Sequence, residues 1–230
     1  MRFKEYTEGK YNSDLTHNLA DGDAEILDLI RNDCAPFLKY GRIFYRGADF
    51  HAPEDLIKKS VRSDRKPRDI PIELHDVLDN AFKRKFGWAV RSSGVFATQD
   101  WEHATEFGID TYMFFPIGNF KYVWSGAFHD LFGSLETSFG DDLRAAFADW
   151  DTMPEWETLY RNLDITKKPT QNLKEIQKEV GDFIVSRYTD KYLASSEKSE
   201  VTFKCNEYYL LGNKFRTIIE KELGLSRFKG

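Results

Sequence analysis

Along residues 22–32 the apolar side chains Ile26, Leu27, Leu29 and Ile30 follow acidic starters, which is the spacing of a short amphipathic helix. A longer stripe of Leu74, Val77, Leu78, Ala81, Phe82 and Phe86 predicts a helix over 71–86, opened by Pro71. From about 134 to 192 the spacing is helical again, in LRAAFADW, PEWETLYRNL and NLKEIQKEVGDFIVSRY, with Pro154 and Pro169 as breaks. A further helix is expected at 214–223. Other stretches bunch aromatic and β-branched residues between turn formers and read as strands: GRIFYRG at 41–47, GVFATQD at 94–100, TYMFFPI at 111–117, FKYVW at 120–124 and EVTFKCNEYYLL at 200–211. Asp100 is set to cap a helix over WEHATEF. The stretch 58–69, KKSVRSDRKPRD, reads as a polar, basic loop.

Strands and helices in this irregular order predict an α+β fold rather than a regular βαβ alternation. One domain over 1–230 is expected, with an N-terminal helical segment at 1–40, a helical insertion at about 134–192 and a C-terminal helix at 213–230. The chain has no internal repeat and neither a GxGxxG nor a Walker-type phosphate loop, so a dinucleotide would not sit in a Rossmann crevice.

The net charge of −5 argues against a global attraction to nucleic acid or to an anionic membrane. No apolar run approaches the 18 residues of a membrane span, and the polar opening MRFKEYTEGKYNSD lacks the apolar centre of a secretory signal. The only cysteines, Cys34 and Cys205, are far apart, which suits a reducing interior better than a disulfide scaffold. Histidines at 17, 51, 75, 103 and 129 show no ligand spacing, and no metal is expected. Locally, Lys58, Lys59, Arg62, Arg65, Lys66 and Arg68 against Asp64 form a basic stretch; most such runs are solvated, and the sharper reading is a contact for an acidic partner or a nucleic-acid acceptor.

Three residues fit an ordinary core poorly. With period two, Val201, Phe203, Cys205, Glu207, Tyr209 and Leu211 share one face of the last strand, and Glu207 is then a carboxylate among apolar neighbours. A bulge in that strand would break this alternation. Arg46 ends the first strand beside Gly47, which lets a ligand approach the backbone, and its planar fork suits a phosphate. Thr98 is a small hydroxyl on a strand that runs straight into a helix. Singly, each has an ordinary structural explanation: a paired strand carboxylate, an ion-paired arginine, a β-branched strand residue.

Together, TyrArgGly at 45–47, GVF with Ala97-Thr98-Gln99, and Cys205-Asn206-Glu207 before YYLL resemble, in order and spacing, the ADP-ribosyltransferases of the Arg–Ser–Glu class. That family carries an aromatic-Arg-Gly strand, a Gly-aromatic-x-Ser-Thr-Ser turn and a Gln/Glu-x-Glu before a hydrophobic strand. The resemblance spans roughly 40–212 and implies a split β-sheet core with flanking helices and a helical insertion. It implies NAD⁺ as substrate, cleavage of the nicotinamide–ribose bond and transfer of ADP-ribose to a macromolecule. Glu207 would stabilise the oxocarbenium-like state, Thr98 would hold the geometry, and Arg46 and Gly47 would bind NAD⁺. Phe107 and Phe114 are candidates to stack on nicotinamide. Cys205 stands in the acceptor-selecting position, where it cannot act as a carboxylate base, and both serines of the middle motif are replaced. A catalytically degenerate descendant serving as a structural or virion-associated protein is therefore the alternative to a mono-ADP-ribosyltransferase. Compact transferases of this kind occur in bacteria and tailed phages, which implies a cytoplasmic protein or one carried in or on a virion, with a protein acceptor or assembly partner and no membrane.

Overall fold

The helical stripes and the aromatic runs become the two sides of one α+β architecture. The computed structural model describes residues 17–18, 22–51, 55–63, 65–67, 70–128, 131, 172–191 and 199–226. In chain order these form β1 His17–Asn18, α1 Asp23–Asp33, α2 Ala35–Leu38, β2 Phe44–Ala48, β3 Leu56–Ser60, α3 Ile72–Phe86, α4 Val90–Ser93, β4 Val95–Thr98 and α5 Trp101–Thr105. They continue with β5 Asp110–Pro116, β6 Lys121–Trp124, α6 Leu173–Ser186, β7 Glu200–Lys204, β8 Glu207–Gly212, a 3₁₀ turn at Asn213–Phe215 and α7 Arg216–Leu223. Most of the helical insertion expected at 134–192, LRAAFADW and PEWETLYRNL included, lies outside the described residues, as does most of the N-terminal segment before α1.

The strands make one eight-stranded sheet in the order β1-β3-β8-β5-β2-β4-β7-β6, antiparallel at every pairing. Its continuity is uneven. β2 pairs with β5 over its whole length, Phe44↔Phe114 to Ala48↔Asp110, but meets β4 only at Tyr45↔Thr98. The sheet is thus two half-sheets, β1-β3-β8-β5-β2 and β4-β7-β6, joined at a single residue pair.

One apolar mass spans both half-sheets: Ile26, Ile30 and Phe37 from α1 and α2 join Phe44, Phe114, Phe115 and Leu211 of the first half and Val95, Val201 and Phe203 of the second, all buried. In a separate cluster Leu74, Leu78 and Phe82 of α3 meet Ile176, Val180 and Ile184 of α6, with Val123 of β6. A capping box closes the start of α6, with Glu175 N donating to Asn172 Oδ1 at 3.2 Å and Asn172 N to Glu175 Oε2 at 2.9 Å. Close packing of the pair depends on Gly181, where a Cβ would lie 2.9 Å from Val77 Cγ1 and 3.1 Å from the Val77 carbonyl oxygen.

Two expectations are corrected. First, residues 200–211 are two strands. β7 pairs with β4 and β6, then the chain crosses at Cys205–Asn206 and β8 pairs with β5 and β3. The crossing reverses side-chain parity: the rings of Phe203 and Tyr208 both lie on Phe114, at 5.1 and 5.2 Å, which one unbroken strand forbids for odd and even positions. Glu207 therefore does not share a face with Val201 and Phe203. Second, the stretch 58–69 opens as strand, because β3 includes Lys58 and Lys59. Two charges are tolerated there since Lys58 reaches diagonally across the ladder to Glu207 and the buried Lys59 lies 3.8 Å over the Phe50 ring.

Candidate active site

Beyond Tyr45↔Thr98 the strands β2 and β4 part, so β4 backbone groups that would have bonded β2 need other partners. Two arginines supply them. Arg46 Nη1 donates to the Phe96 carbonyl at 2.7 Å, and Arg65 Nη1 donates to the Gly94 carbonyl at 3.0 Å. Arg46 is delivered by β2 and Arg65 by the loop after β3. A third, Arg91 of α4, lies over the same ring as Arg65: their guanidinium carbons are 5.2 and 4.7 Å from the centre of Phe96. The parting of the half-sheets is thus a cleft walled by Phe96 and three guanidiniums. Burial, then the neighbouring charges of Arg46 and Arg91, push Arg65 down to about 9 from 12.5. It still carries its charge at neutral pH, so positive charge accumulates there.

Arg91 is held from behind by buried polar groups. Asp79 of α3 accepts from Arg91 N at 2.7 Å and Ser92 N at 3.0 Å, and also from the Ser92 hydroxyl. His75, one turn earlier, approaches Ser92 Oγ at 3.0 Å. Burial keeps this imidazole below its ordinary value and so favours its neutral form. Asp79 fixes the start of α4 while His75 completes the network; neither faces the cleft as a nucleophile's partner.

Glu200 is a carboxylate near these charges. Register puts Tyr45, Thr98 and Glu200 in one row across β2, β4 and β7, with Thr98↔Glu200 directly opposite. Directly opposite residues on antiparallel strands hold their Cβ atoms about 4.5–5.5 Å apart. Glu200 is half-buried and acts electrostatically on Arg65. Thr98 is buried, and its hydroxyl accepts from Asp100 N at 3.2 Å, fixing the turn into α5. Asp100 caps α5 as expected, accepting from Glu102 N and His103 N at 2.9 and 3.3 Å.

The other expected residues are placed differently. Arg46 shares a row with Tyr112 and Gly212, whereas Glu207 begins β8 and lies level with Ile117. Five residues of strand separate Glu207 from that row, roughly 17 Å along β8. Glu207 is bonded to Lys58 Nζ at 2.9 Å in a half-exposed ion pair, and the charge of Arg46 acts on Cys205, two residues before it. At Gly47 a Cβ would sit 2.5 Å from the Ala104 carbonyl and 2.7 Å from Phe107 C, because the end of α5 packs on β2. Phe114 is fully buried among Phe203 and Tyr208 and has no face to offer nicotinamide. Phe107 is 48% exposed, with His103 edge-on at 4.9 Å. Cys205 is buried, its thiol pushed up to about 12 by burial against the opposing pull of Arg46, so it offers no thiolate to an acceptor. The ring nearest the cleft's charges is Phe96.

No family model matches this chain, and neither a curated protein nor a solved structure shows significant similarity to it. The site therefore stands on its own geometry.

Glu200, Arg65 and Arg91 escape the sequence reading for identifiable reasons. Glu200 also precedes an apolar run, VTF, but a strand drawn unbroken to 211 makes Glu207 the more anomalous carboxylate. Arg65 is hidden in a stretch that reads as solvated. A signal was available for Glu200 alone, since it satisfies "Glu before a hydrophobic strand" as well as Glu207 does. Elsewhere, an open groove of about 570 Å³ runs beside Trp101, Ile109 and Tyr112, where Asp55 and Lys214 neutralise each other. Among the described residues no group of three or more His, Cys, Asp or Glu could hold a metal, and no helix is long and apolar enough to cross a membrane.

Proposed function

We propose that this chain is an NAD⁺-dependent mono-ADP-ribosyltransferase acting on a macromolecular acceptor, with Glu200 as its catalytic carboxylate. The observation that carries the reading is the cleft where β2 and β4 part, which joins Arg46 in the gap to Thr98 and Glu200 in one register row. Arginine and glutamate recur from the Arg–Ser–Glu pattern, with Thr98 where that pattern has serine at its centre and Glu200 in place of Glu207, and a sheet joined at one pair supports a split-sheet core of that family's kind.

The chemistry follows from the charges. The bond from ribose C1′ to the nicotinamide nitrogen breaks with its electron pair going to nicotinamide, which leaves neutral, and positive charge grows on the ribose. A fixed carboxylate beside the ribose interacts more strongly with that state than with the ground state, which lowers the barrier. The acceptor's nucleophilic atom then bonds to C1′ and loses a proton. Glu200 supplies the carboxylate, and Arg46 orients the dinucleotide. Arginine is disfavoured as the acceptor, because Cys205 is a buried neutral thiol and Lys198 precedes Glu200 where the family carries Gln or Glu.

The test is release of nicotinamide from NAD⁺ by the purified protein, alone and with cell lysate. Release together with transfer of labelled ADP-ribose to a protein or nucleic acid is the expected outcome, and neither activity under any acceptor condition overturns the reading. One observation favours a second reading, a binding-only descendant in a structural or virion-associated protein: Ala97, beside Thr98, lacks a hydroxyl and faces the apolar Val201. That reading gives NAD⁺ binding without release.

A further inference from the structure

Phe96 and its arginines carry more than the Arg–Ser–Glu pattern asks of them. Arg65 and Arg91 lie outside that pattern, come from different elements, and approach one ring at 4.7 and 5.2 Å. A guanidinium has five N–H donors, and the bonds to the Phe96 and Gly94 carbonyls use one each on Arg46 and Arg65. Nε of Arg91 is buried and has no hydrogen-bond partner among the described residues. An unbonded buried donor on a charged group is unfavourable until an acceptor arrives. Like charges gathered in a partly dry cleft repel one another, and the same anion relieves both conditions. Glu200 is a carboxylate whose charge opposes that of Arg65, from elsewhere around it.

We infer that Arg65 and Arg91, with Arg46, form an anion clamp for the diphosphate of a nucleotide ligand, and that Arg65 is the part of the basic stretch 58–69 assigned to substrate rather than to a nucleic-acid partner. Planar forks from two sides suit the several oxygens of a diphosphate better than a single carboxylate. The loop after β3 thereby becomes a wall of the substrate site. Its leading lysines are already engaged, Lys58 with Glu207 and Lys59 over Phe50. Asp79, by bonding Arg91 N, positions the clamp without touching the ligand.

The inference rests on the transferase reading for the identity of the ligand, and a calorimetric titration separates the two. ADP, inorganic pyrophosphate and nicotinamide riboside, which has no phosphate, are titrated into the wild-type chain and into Arg65→Gln, Arg65→Lys and Arg91→Gln. ADP and pyrophosphate are expected to bind the wild type. Arg65→Gln and Arg91→Gln should each weaken ADP about tenfold or more, Arg65→Lys less, and riboside binding should not change. If Arg65→Gln fails to fold, Arg91→Gln and Arg65→Lys decide. ADP affinity equal to wild type in folded variants, or no binding of ADP and pyrophosphate by the wild type, overturns the clamp. Arg65-dependent ADP binding without any nicotinamide release from NAD⁺ keeps the clamp and removes the transferase. Nicotinamide release that is indifferent to Arg65 and Arg91 keeps the transferase and removes the clamp.

Discussion

Glu200→Gln should lower nicotinamide release from NAD⁺ by roughly 10²–10³-fold, while Glu207→Gln leaves it within about twofold. Gln keeps the shape and hydrogen-bonding reach of the side chain but removes the negative charge, which is the part that stabilises a growing cation. Binding of NAD⁺ should survive, because the donors to its phosphates are arginines. The loss should therefore fall on kcat rather than KM, as for an interaction made mainly in the transition state. Glu207 has a different role. Its partner is Lys58, both side chains are partly exposed at 40% and 27%, and such a pair contributes about 0–1 kcal/mol. Steady-state kinetics on the two variants checks the assignment, and a collapse in Glu207→Gln with near-normal Glu200→Gln would reverse it.

Gly47→Ala should lower stability by about 3 kcal/mol, near the upper end for overpacking, and reduce Tm by roughly 6–12 °C in a chain of this size. The new methyl meets backbone atoms at 2.5 and 2.7 Å, and backbone cannot swing aside as a flexible side chain can. Since α5 would have to move off β2, the neighbouring Arg46 should shift too, and NAD⁺ affinity should fall with stability. A Gly needed only to admit ligand gives the opposite pattern: unchanged melting with a raised KM. Thermal unfolding followed by far-ultraviolet circular dichroism, with NAD⁺ titrations on the same samples, tells the two apart.

Periodicity made the helices legible. The stripes at 26–30 and 74–86 became the buried faces of α1 and α3, and Asp100 capped the helix that its position promised. Strand identity was legible too, but strand continuity was not. EVTF and EYYLL are each apolar enough for a strand, and nothing local in Cys205–Asn206 announces that the chain changes half-sheets there. That one crossing takes Glu207 off the face of Val201 and Phe203. The residue types of Arg46 and Thr98 and the strand-end place of Thr98 were legible because they are local facts, although Arg46 lies mid-strand in β2. Arg65 and Arg91 were not, since a guanidinium beside Phe96 is a tertiary fact and their sequence neighbourhoods are ordinary polar loop and short helix. At Gly47 the side that a Cβ would take is filled by α5, which only packing can show.

The most direct measurement is hydrogen–deuterium exchange of the Glu200→Gln variant with and without saturating NAD⁺, so that ligand stays bound without turnover. Protection should concentrate in residues 44–47, 63–67, 90–98 and 199–203, the segments that wall the cleft between β2 and β4. Protection centred instead on β8 around Glu207, or no NAD⁺-dependent change in the cleft segments, would contradict an NAD⁺ site at the parting of the two half-sheets.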